Sequence, residues 1–480
     1  MVPPVLTGVA DYSFLAVLVG YAFTGLVAPL WGPRAARVSL YAATAVALAA
    51  ALYMSLAFAP AQGYTTAFNG ALVIDTYSVF LLSTVVIVFA LAAMAASRIV
   101  DYWEAGEAFY AVMGLMALGV IVLGLARLLY LVYVGWILAA VSSYILVALY
   151  RDAISAEAAI KYAVNGTIAT IILLLGLTLF YIVHGDAAIS PGLLIRDALL
   201  VTPTVAMVAV AVGFKMGVVP FHGWLIDVYG NAKPLVIAVA SAAAKIIAAL
   251  MIAKLVAPFA VVEPHIVLWT MGVLAALTML YGNLGALLTV RDSPQKLLAY
   301  SSVAQAGYIV VGFAALARLP GIDNVAALAG IALHTAGYAF SKLASFLVLD
   351  TACEDDRPCS WERLRGLAYR SPVAAAALVL ALASLAGAPP TLGFWGKLYL
   401  LIAAVSASPA LAALMVINFA VAVFYYGYMI YMVFTGPREA AGGRPGAREA
   451  AALIAALFTV LLGLAPWEGY GLTLYAYTTA

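Results

Sequence analysis

The chain has 480 residues, 66% of them hydrophobic and 9% charged, with a mean hydropathy of +1.10 and a formal net charge of +2. A water-soluble core of this size has no room for so much apolar surface, so the composition excludes a soluble globular protein and specifies an integral membrane protein. Neither a basic nucleic-acid surface nor an acidic tail stands out against that background.

The N-terminal MVPPVLTGVADYSF lacks the basic region and short apolar core of a cleavable signal, so Met1 is expected to begin the mature protein. A bilayer core needs about 20 apolar residues in helix. Charged or Gly/Pro-rich breaks divide the chain into fourteen such runs, near 11–31, 37–58, 76–97, 108–126, 128–150, 158–183, 201–227, 233–257, 265–290, 294–317, 325–349, 371–404, 409–434 and 449–466. The turn around Arg127 is the weakest of these cuts.

Cytoplasmic loops collect Lys and Arg. With the N-terminus outside, the inside loops and helix ends hold fifteen basic residues: Arg34, Arg37, Arg98, Arg151, Lys161, Lys233, Arg291, Lys296, Arg357, Arg363, Arg365, Arg370, Arg438, Arg444 and Arg448. The outside holds four, Arg127, Arg196, Lys254 and Arg318. That asymmetry implies an even number of spans and both termini outside. The remaining basic residues, Lys215, Lys245, Lys342 and Lys397, fall within the spans. Asp75 and Glu107 sit at helix ends and the other carboxylates in loops, so the interior is expected to be lysine-only.

Spans 7 and 12 are interrupted by proline, at Val218-Val219-Pro220-Phe221-His222 and Ala388-Pro389-Pro390-Thr391. Such a break frees a backbone carbonyl, which in lipid is tolerable only where protein or a water-filled cavity covers it. The breaks are five spans apart, and an odd interval places the flanking units, spans 4–8 and 9–13, upside down relative to one another. Paired interrupted helices in inverted halves point to a transport path at the midplane. Residues 1–107 then form three N-terminal helices, 108–257 a first repeat, 258–434 a second, and 435–480 an inside loop and last helix.

Lys215 precedes the first break and Lys397 follows the second, each within about two helical turns of unpaired backbone. A lysine kept from water can take up and release a proton near neutral pH, and intramembrane ionisable groups mark functional sites by default. Lys342, nearer a helix end, can equally snorkel to the interface. His222, beside Pro220 and Trp224, is either a relay or a cap for a loose carbonyl. His334, Tyr338 and Lys342 recur at helical spacing and form one polar face. His184 and His265 sit at the outside edge and are read as solvated. Ser142, Ser143, Ser241, Ser301, Ser302 and Ser341 are better read as packing residues than as a water chain. Cys353 and Cys359, in the polar CEDDRPC, are too few for a zinc site and read as a reduced or disulfide-bonded structural pair. No phosphate loop, cofactor fingerprint, metal cluster or nucleophilic triad is present, so no cofactor is expected in this chain.

Three stretches, FKMGVVPFHGWLIDVYGNAKP with Lys245 downstream, GNLGALL followed by QKLLAYSSVAQAGY, and SLAGAPPTLGFWGKLYL, resemble the proton-conducting antiporter-like subunits of respiratory complex I and its relatives. Those relatives include multisubunit sodium/proton antiporters, membrane-bound hydrogenases and archaeal dehydrogenases. The resemblance runs from about Asp75 to Phe434. GFWGK and the length are most similar to the subunit N branch, whereas AYSSVAQAGY and HTAGYAFSK look more like the subunit L and antiporter branch.

The resemblance implies an all-α membrane protein of about fourteen helices in two inverted five-helix repeats, each with a broken helix. It implies proton transfer by Lys215, Lys245 and Lys397, with His222, His334 and Lys342 as possible relays. The partners it implies are other membrane subunits, including antiporter-like paralogues, of an NADH/quinone or related oxidoreductase; the alternatives are a sodium/proton antiporter subunit or a non-conducting structural module. One departure motivates the last. The family has a glutamate in span 5 paired with the span-7 lysine, and here Ile137 stands at that position, which is expected to leave Lys215 without its charge partner.

Overall fold

The computed structural model describes residues 4–58, 64–190, 195–317, 322–353, 358–436 and 446–464. Met1, Arg318, Arg357, Arg438, Arg444, the 354–357 stretch between the cysteines, and the 437–445 and 465–480 parts of the C-terminal unit lie outside the described residues.

The chain is helical almost throughout. In order it forms α1 (Pro4–Leu26), α2 (Pro33–Phe58), a hairpin of β1 (Tyr64–Ala67) and β2 (Leu72–Asp75), α3 (Thr76–Ala96), α4 (Gly106–Leu125), α5 (Leu129–Ala148) and α6 (Ala153–His184). There follow α7 (Val201–Met216), α8 (Gly223–Asn231), α9 (Pro234–Leu255), α10 (Ala257–Val262), α11 (Pro264–Leu288), α12 (Pro294–Leu316) and α13 (Ile322–Cys353). The series closes with α14 (Trp361–Leu364), α15 (Leu367–Arg370), α16 (Pro372–Ala386), α17 (Leu392–Ala407), α18 (Pro409–Phe434) and α19 (Ala447–Leu464). Among the described residues twelve helices are long and apolar enough to cross a membrane, accompanied by three shorter apolar ones, Ala10–Leu26, α16 and α17.

Local chemistry sets the boundaries. Proline opens α9, α11, α12, α16 and α18, where its missing N–H costs nothing. Side-chain oxygens of Asp75, Asp152, Ser293, Ser371, Thr391 and Ser408 accept from first-turn N–H groups of the helices they precede. The weak cut at Arg127 is a true break. Arg127 N–H donates to Ala71 O (2.9 Å) and its carbonyl accepts from Ile189 N–H (2.8 Å), so neighbouring backbone satisfies the turn. The hairpin Tyr64–Ala67/Leu72–Asp75 had no counterpart among the predicted spans. The run expected at 11–31 ends as α-helix at Leu26 and finishes in a 3-10 turn, Ala28–Trp31. Cys353 and Cys359 are joined by a disulfide.

The two helix breaks are built alike. GVVPFHG and GAPPTLG both read G-x-x-P-x-x-G, an internal match that the proline positions alone did not bring out. Gly217 (φ +76°) and Gly387 (φ +92°) end α7 and α16 in the left-handed region. In each break the residue after the glycine donates five residues back, Val218 to Gly213 O (2.8 Å) and Ala388 to Ala383 O (2.9 Å). Each also contains a cis peptide bond to its proline, Val219–Pro220 and Pro389–Pro390.

At the centre lie α9, α12 and α13. The apolar windows of α9 and α13 are completely buried within the chain and that of α12 nearly so. A helix apolar all round needs such a central place, and the outer helices supply the exposed apolar surface. Helix α17 crosses α13 closely because position 396 is glycine: a Cβ there would lie 2.5 Å from the backbone N and Cα of His334. Gly396→Ala is therefore expected to destabilise the protein by about 1–3 kcal/mol through overpacking. Gly272→Ala, on an open helix face of α11, is expected to be neutral or to stabilise by up to about 1 kcal/mol. Thermal unfolding of the two variants in one detergent distinguishes them.

Candidate functional site

Lys215 stands in the last turn of α7, just before the first break, and is 1% exposed. Its ammonium donates to Ser143 Oγ of α5 (2.9 Å) and to Tyr162 OH of α6 (3.0 Å), with the Tyr144 and Tyr162 rings 5.5 and 5.2 Å away. Tyr162 stacks on Trp224 of α8 at 4.1 Å, and the Trp224 indole N–H donates to Phe214 O (3.0 Å), a carbonyl at the broken end of α7. Trp224 meets Tyr229 edge-on at 5.9 Å. Aromatic contact thus links Lys215 to the next lysine.

Lys245, on α9, lies between Tyr229 (5.7 Å to the ring centre) and Tyr338 of α13 (5.2 Å), and its Nζ has no hydrogen-bond partner among the described residues. A desolvated cation over an aromatic face gains about 2 kcal/mol, less than the several kcal/mol that burying the charge costs. Lys245 is the least compensated cation of the group. Lys342, one turn beyond Tyr338, lies 5.7 Å from the same ring and donates to Leu298 O (2.7 Å) and to Ser301 Oγ.

One turn to the other side of Tyr338 stands His334, buried, with neither ring nitrogen hydrogen-bonded, its ring edge-on to Tyr308 at 5.8 Å. Tyr308 lies 5.1 Å from Lys397 Nζ. Lys397, on α17, donates to Leu385 O (2.7 Å) and Ala386 O (3.1 Å), the carbonyls that end α16 at the second break. A cation at a helix C-terminus is favoured by the aligned backbone dipoles.

The structure gathers Lys215, Lys245, Lys342, His334 and Lys397 into one buried band. His222 stays in its break, half-buried, with its ring against Tyr281 of α11 (4.1 Å). Of the two outer histidines, His265 is exposed, but His184 is not: α6 carries it inward beside Phe180, and its Nε2 pairs with Ser190 Oγ at 3.1 Å. Lys254, assigned to the outside edge, is likewise buried and donates to Ala126 O at 2.9 Å.

Ile137 is 36% exposed and follows Tyr130 and Val134 on the outward stripe of α5. From α5 it is Ser143 and Tyr144 that meet Lys215. Among the described residues no carboxylate pairs with Lys215, and the hydroxyls of Ser143 and Tyr162 accept from its ammonium.

A further correction concerns the lysine-only interior. Helix α13 runs past the predicted end at 349, and Asp350 is fully buried. It accepts from Leu235 N–H (3.2 Å) and Arg448 (3.0 Å), with Lys233 Nζ at 3.8 Å. Two cations and a backbone N–H make this burial tolerable. Asp350 lies on the same helix as Lys342, about 12 Å along it at 1.5 Å per residue.

Also unanticipated is an amide–phenol network beside Lys397. Asn283 donates to Asn418 Oδ1 (2.8 Å) and Tyr308 OH (3.1 Å) and accepts from Tyr425 OH (2.9 Å). Gln305 donates to Leu385 O and Tyr426 OH, both at 3.0 Å. The signal was present in the sequence as amides inside apolar spans. Among the described residues no group of three or more His, Cys, Asp or Glu side chains converges as a metal site would require.

Fold and site together define a polytopic helical membrane protein with a titratable interior. The NADH:quinone oxidoreductase/Mrp antiporter transmembrane family matches residues 126–423. The chain is 32% identical over 479 residues to NADH-quinone oxidoreductase subunit N of Desulfitobacterium hafniense, covering 94% of each chain. It is 29% identical over 489 residues to F(420)H(2) dehydrogenase subunit N of Methanosarcina mazei, covering 95% of this chain and 96% of the other. A chain in the structure of respiratory complex I from Thermus thermophilus with bound aureothin superposes with a TM-score of 0.78 at 26% identity, over 97% of this chain and 99% of that one. The chain belongs to the NADH:quinone oxidoreductase/Mrp antiporter family of transmembrane subunits.

Removing Asp350 takes a buried acceptor from Arg448 and from Leu235 N–H and a carboxylate from beside Lys233. Asp350→Ala is expected to cost about 3 kcal/mol, the lower end of the range for breaking a buried pair because Arg448 is partly exposed. The shift in thermal unfolding measures it.

Proposed function

We propose that this chain is a proton-translocating membrane subunit of a multisubunit quinone-reducing oxidoreductase fed by NADH or a related donor, and that protons move along Lys215, Lys245, Lys342, His334 and Lys397. The observation that carries the reading is the band itself: five buried titratable side chains, of which Lys245 and Lys342 share the Tyr338 ring, His334 and Lys397 share the Tyr308 ring, Lys342 and His334 lie on one helix, and Lys215 reaches Lys245 through Tyr162, Trp224 and Tyr229. Lys245 Nζ and both His334 nitrogens lack protein partners. Buried polar atoms require partners, and exchangeable water bridging these groups would complete a proton chain.

Electrostatics couples neighbouring sites. Lys245 and Lys342 flank one tyrosine ring, so two ammonium groups there repel, and a proton arriving at one drives a proton off the other. The energy comes from redox work in partner chains, and this chain's residues hold and pass the proton. Of the two transport readings, protons fit better than sodium. Sodium needs a cage of oxygen ligands without competing positive charge, whereas the titratable side chains of this band are lysines and a histidine.

The architecture that goes with this reading is fourteen spans: the twelve long helices, α1, and α16–α17 taken as one broken span. The matching G-x-x-P-x-x-G breaks support inverted halves at 108–257 and 258–434. The arginine-rich ends then face the cytoplasm of a prokaryotic cell, with both termini outside. Ile137 motivates the competing reading, a structural module without conduction.

Complexes reconstituted in vesicles separate the two. Lys215→Ala is expected to remove this chain's share of the protons pumped per electron while electron transfer continues; unchanged pumping would leave the scaffold reading standing. Ile137→Glu places a carboxylate on the outward stripe of α5 and is expected to alter the pH profile of pumping. An unaltered profile would mean that the lost pair is irrelevant to pumping.

A further inference from the structure

Outside the lysine band, the turn between α1 and α2 and the segment after α3 enclose a polar cleft of about 500 Å³, lined by Trp31, Pro33, Arg34, Arg37, Ser97, Arg98, Asp101 and Tyr102. Three guanidinium groups against one carboxylate leave it with a formal excess of two positive charges. Arg37 is held in place: it donates to Asp101 (2.6 Å) and to Ser97 O (3.1 Å), and Asp101 also accepts from Tyr110 OH (2.8 Å). The single carboxylate is thereby neutralised by its own neighbours. Arg34 and Arg98 are exposed and make no ion pair among the described residues. Helix α2, 26 residues long, begins at the cleft without an acidic residue in its first turn, so the positive end of its backbone dipole is uncompensated there.

The rim has a different chemistry. Leu26, which ends α1, is 66% exposed, Leu30 80% and the lining residue Trp31 66%, on the chain that leads to the cleft at Pro33, and the lining residue Tyr102 is 86% exposed. A cationic hollow bordered by exposed aliphatic side chains and two aromatics matches an amphipathic anion. Trp and Tyr favour the membrane–water boundary, and arginine forks suit phosphate oxygens. We propose that this cleft binds the phosphate headgroup of an anionic phospholipid, with the acyl chains lying along the Leu26–Trp31 edge. Arg34 and Arg98 take the phosphate, and Arg37, fixed by Asp101, sets the floor of the site. The assignment is independent of the proton-transfer reading, since none of these residues belongs to the lysine band.

The test is lipid retention by the full chain, in the complex with which it purifies, after delipidation and exposure to equimolar phosphatidylglycerol and phosphatidylcholine, read by native mass spectrometry. The wild type is expected to retain phosphatidylglycerol selectively. The double variant Arg34→Gln/Arg98→Gln should bind it about 25-fold more weakly, at roughly fivefold per arginine, and Arg291→Gln, an exposed arginine elsewhere, should change nothing. A photo-cross-linking residue placed at position 102 should capture lipid. Equal retention by the double variant would overturn the proposal. So would full competition by millimolar inorganic phosphate, which would make the cleft a free-anion site, or capture of another subunit at position 102, which would make it a protein interface.

Discussion

The structure depends on what becomes of backbone carbonyls where two membrane helices are broken. In an apolar surrounding an unpaired carbonyl costs several kcal/mol, so each break must carry its own partners. The first is capped by the Trp224 indole on Phe214 O, the second by Lys397 and Gln305 on Leu385 O, with Ala386 O also held by Lys397. The caps are also the connectors. Trp224 stacks on the tyrosine that binds Lys215, and Lys397 is itself one of the titratable groups. The requirement that makes a broken helix tolerable therefore places polar chemistry in the middle of the bundle.

Burial of so many cations is spread over three kinds of compensation. Lys215 and Lys342 have hydroxyl or carbonyl partners, Lys397 has a helix end, and Lys245 has aromatic faces alone. By contrast Asp350, with two cations and a backbone N–H, is a fully satisfied cluster that ties α13 to α9 and α19. It anchors the end of the helix that carries both His334 and Lys342, and the close passage of α17 over α13 at Gly396 packs the same helix at its His334 end.

The outer surface follows a separate logic. Helices α5 and α6 turn apolar stripes outward, including Ile137, Val141, Ile160 and Val164, whereas polar and charged exposure concentrates at the helix ends. There the ion pairs Arg37–Asp101, Arg151–Glu104 and Lys161–Asp227 join groups that the alternation of spans assigns to one side. Their agreement with that alternation supports the segment boundaries without reference to any single helix.

The linear chain determined the membrane class, nearly every helix and the lysines of the band, because these follow from apolar length, from prolines and glycines at fixed spacing, and from the cost of a charge inside an apolar run. It also carried the family resemblance through its long motifs. Tertiary structure alone decided which side chains meet. No helical period could say that Ser143 and Tyr162, from two different helices, hold Lys215, that Lys245 and Lys342 meet at the Tyr338 ring, or that Asn283 and Asn418, 135 residues apart, share a hydrogen bond. Nor could hydropathy place Asp350: a carboxylate at a helix end reads as solvated until the fold brings Lys233 and Arg448 to it. Periodicity and burial cost act along one helix, whereas partners are chosen by packing between helices distant in sequence, and so the groups that carry charge were legible and the contacts that tune them were not.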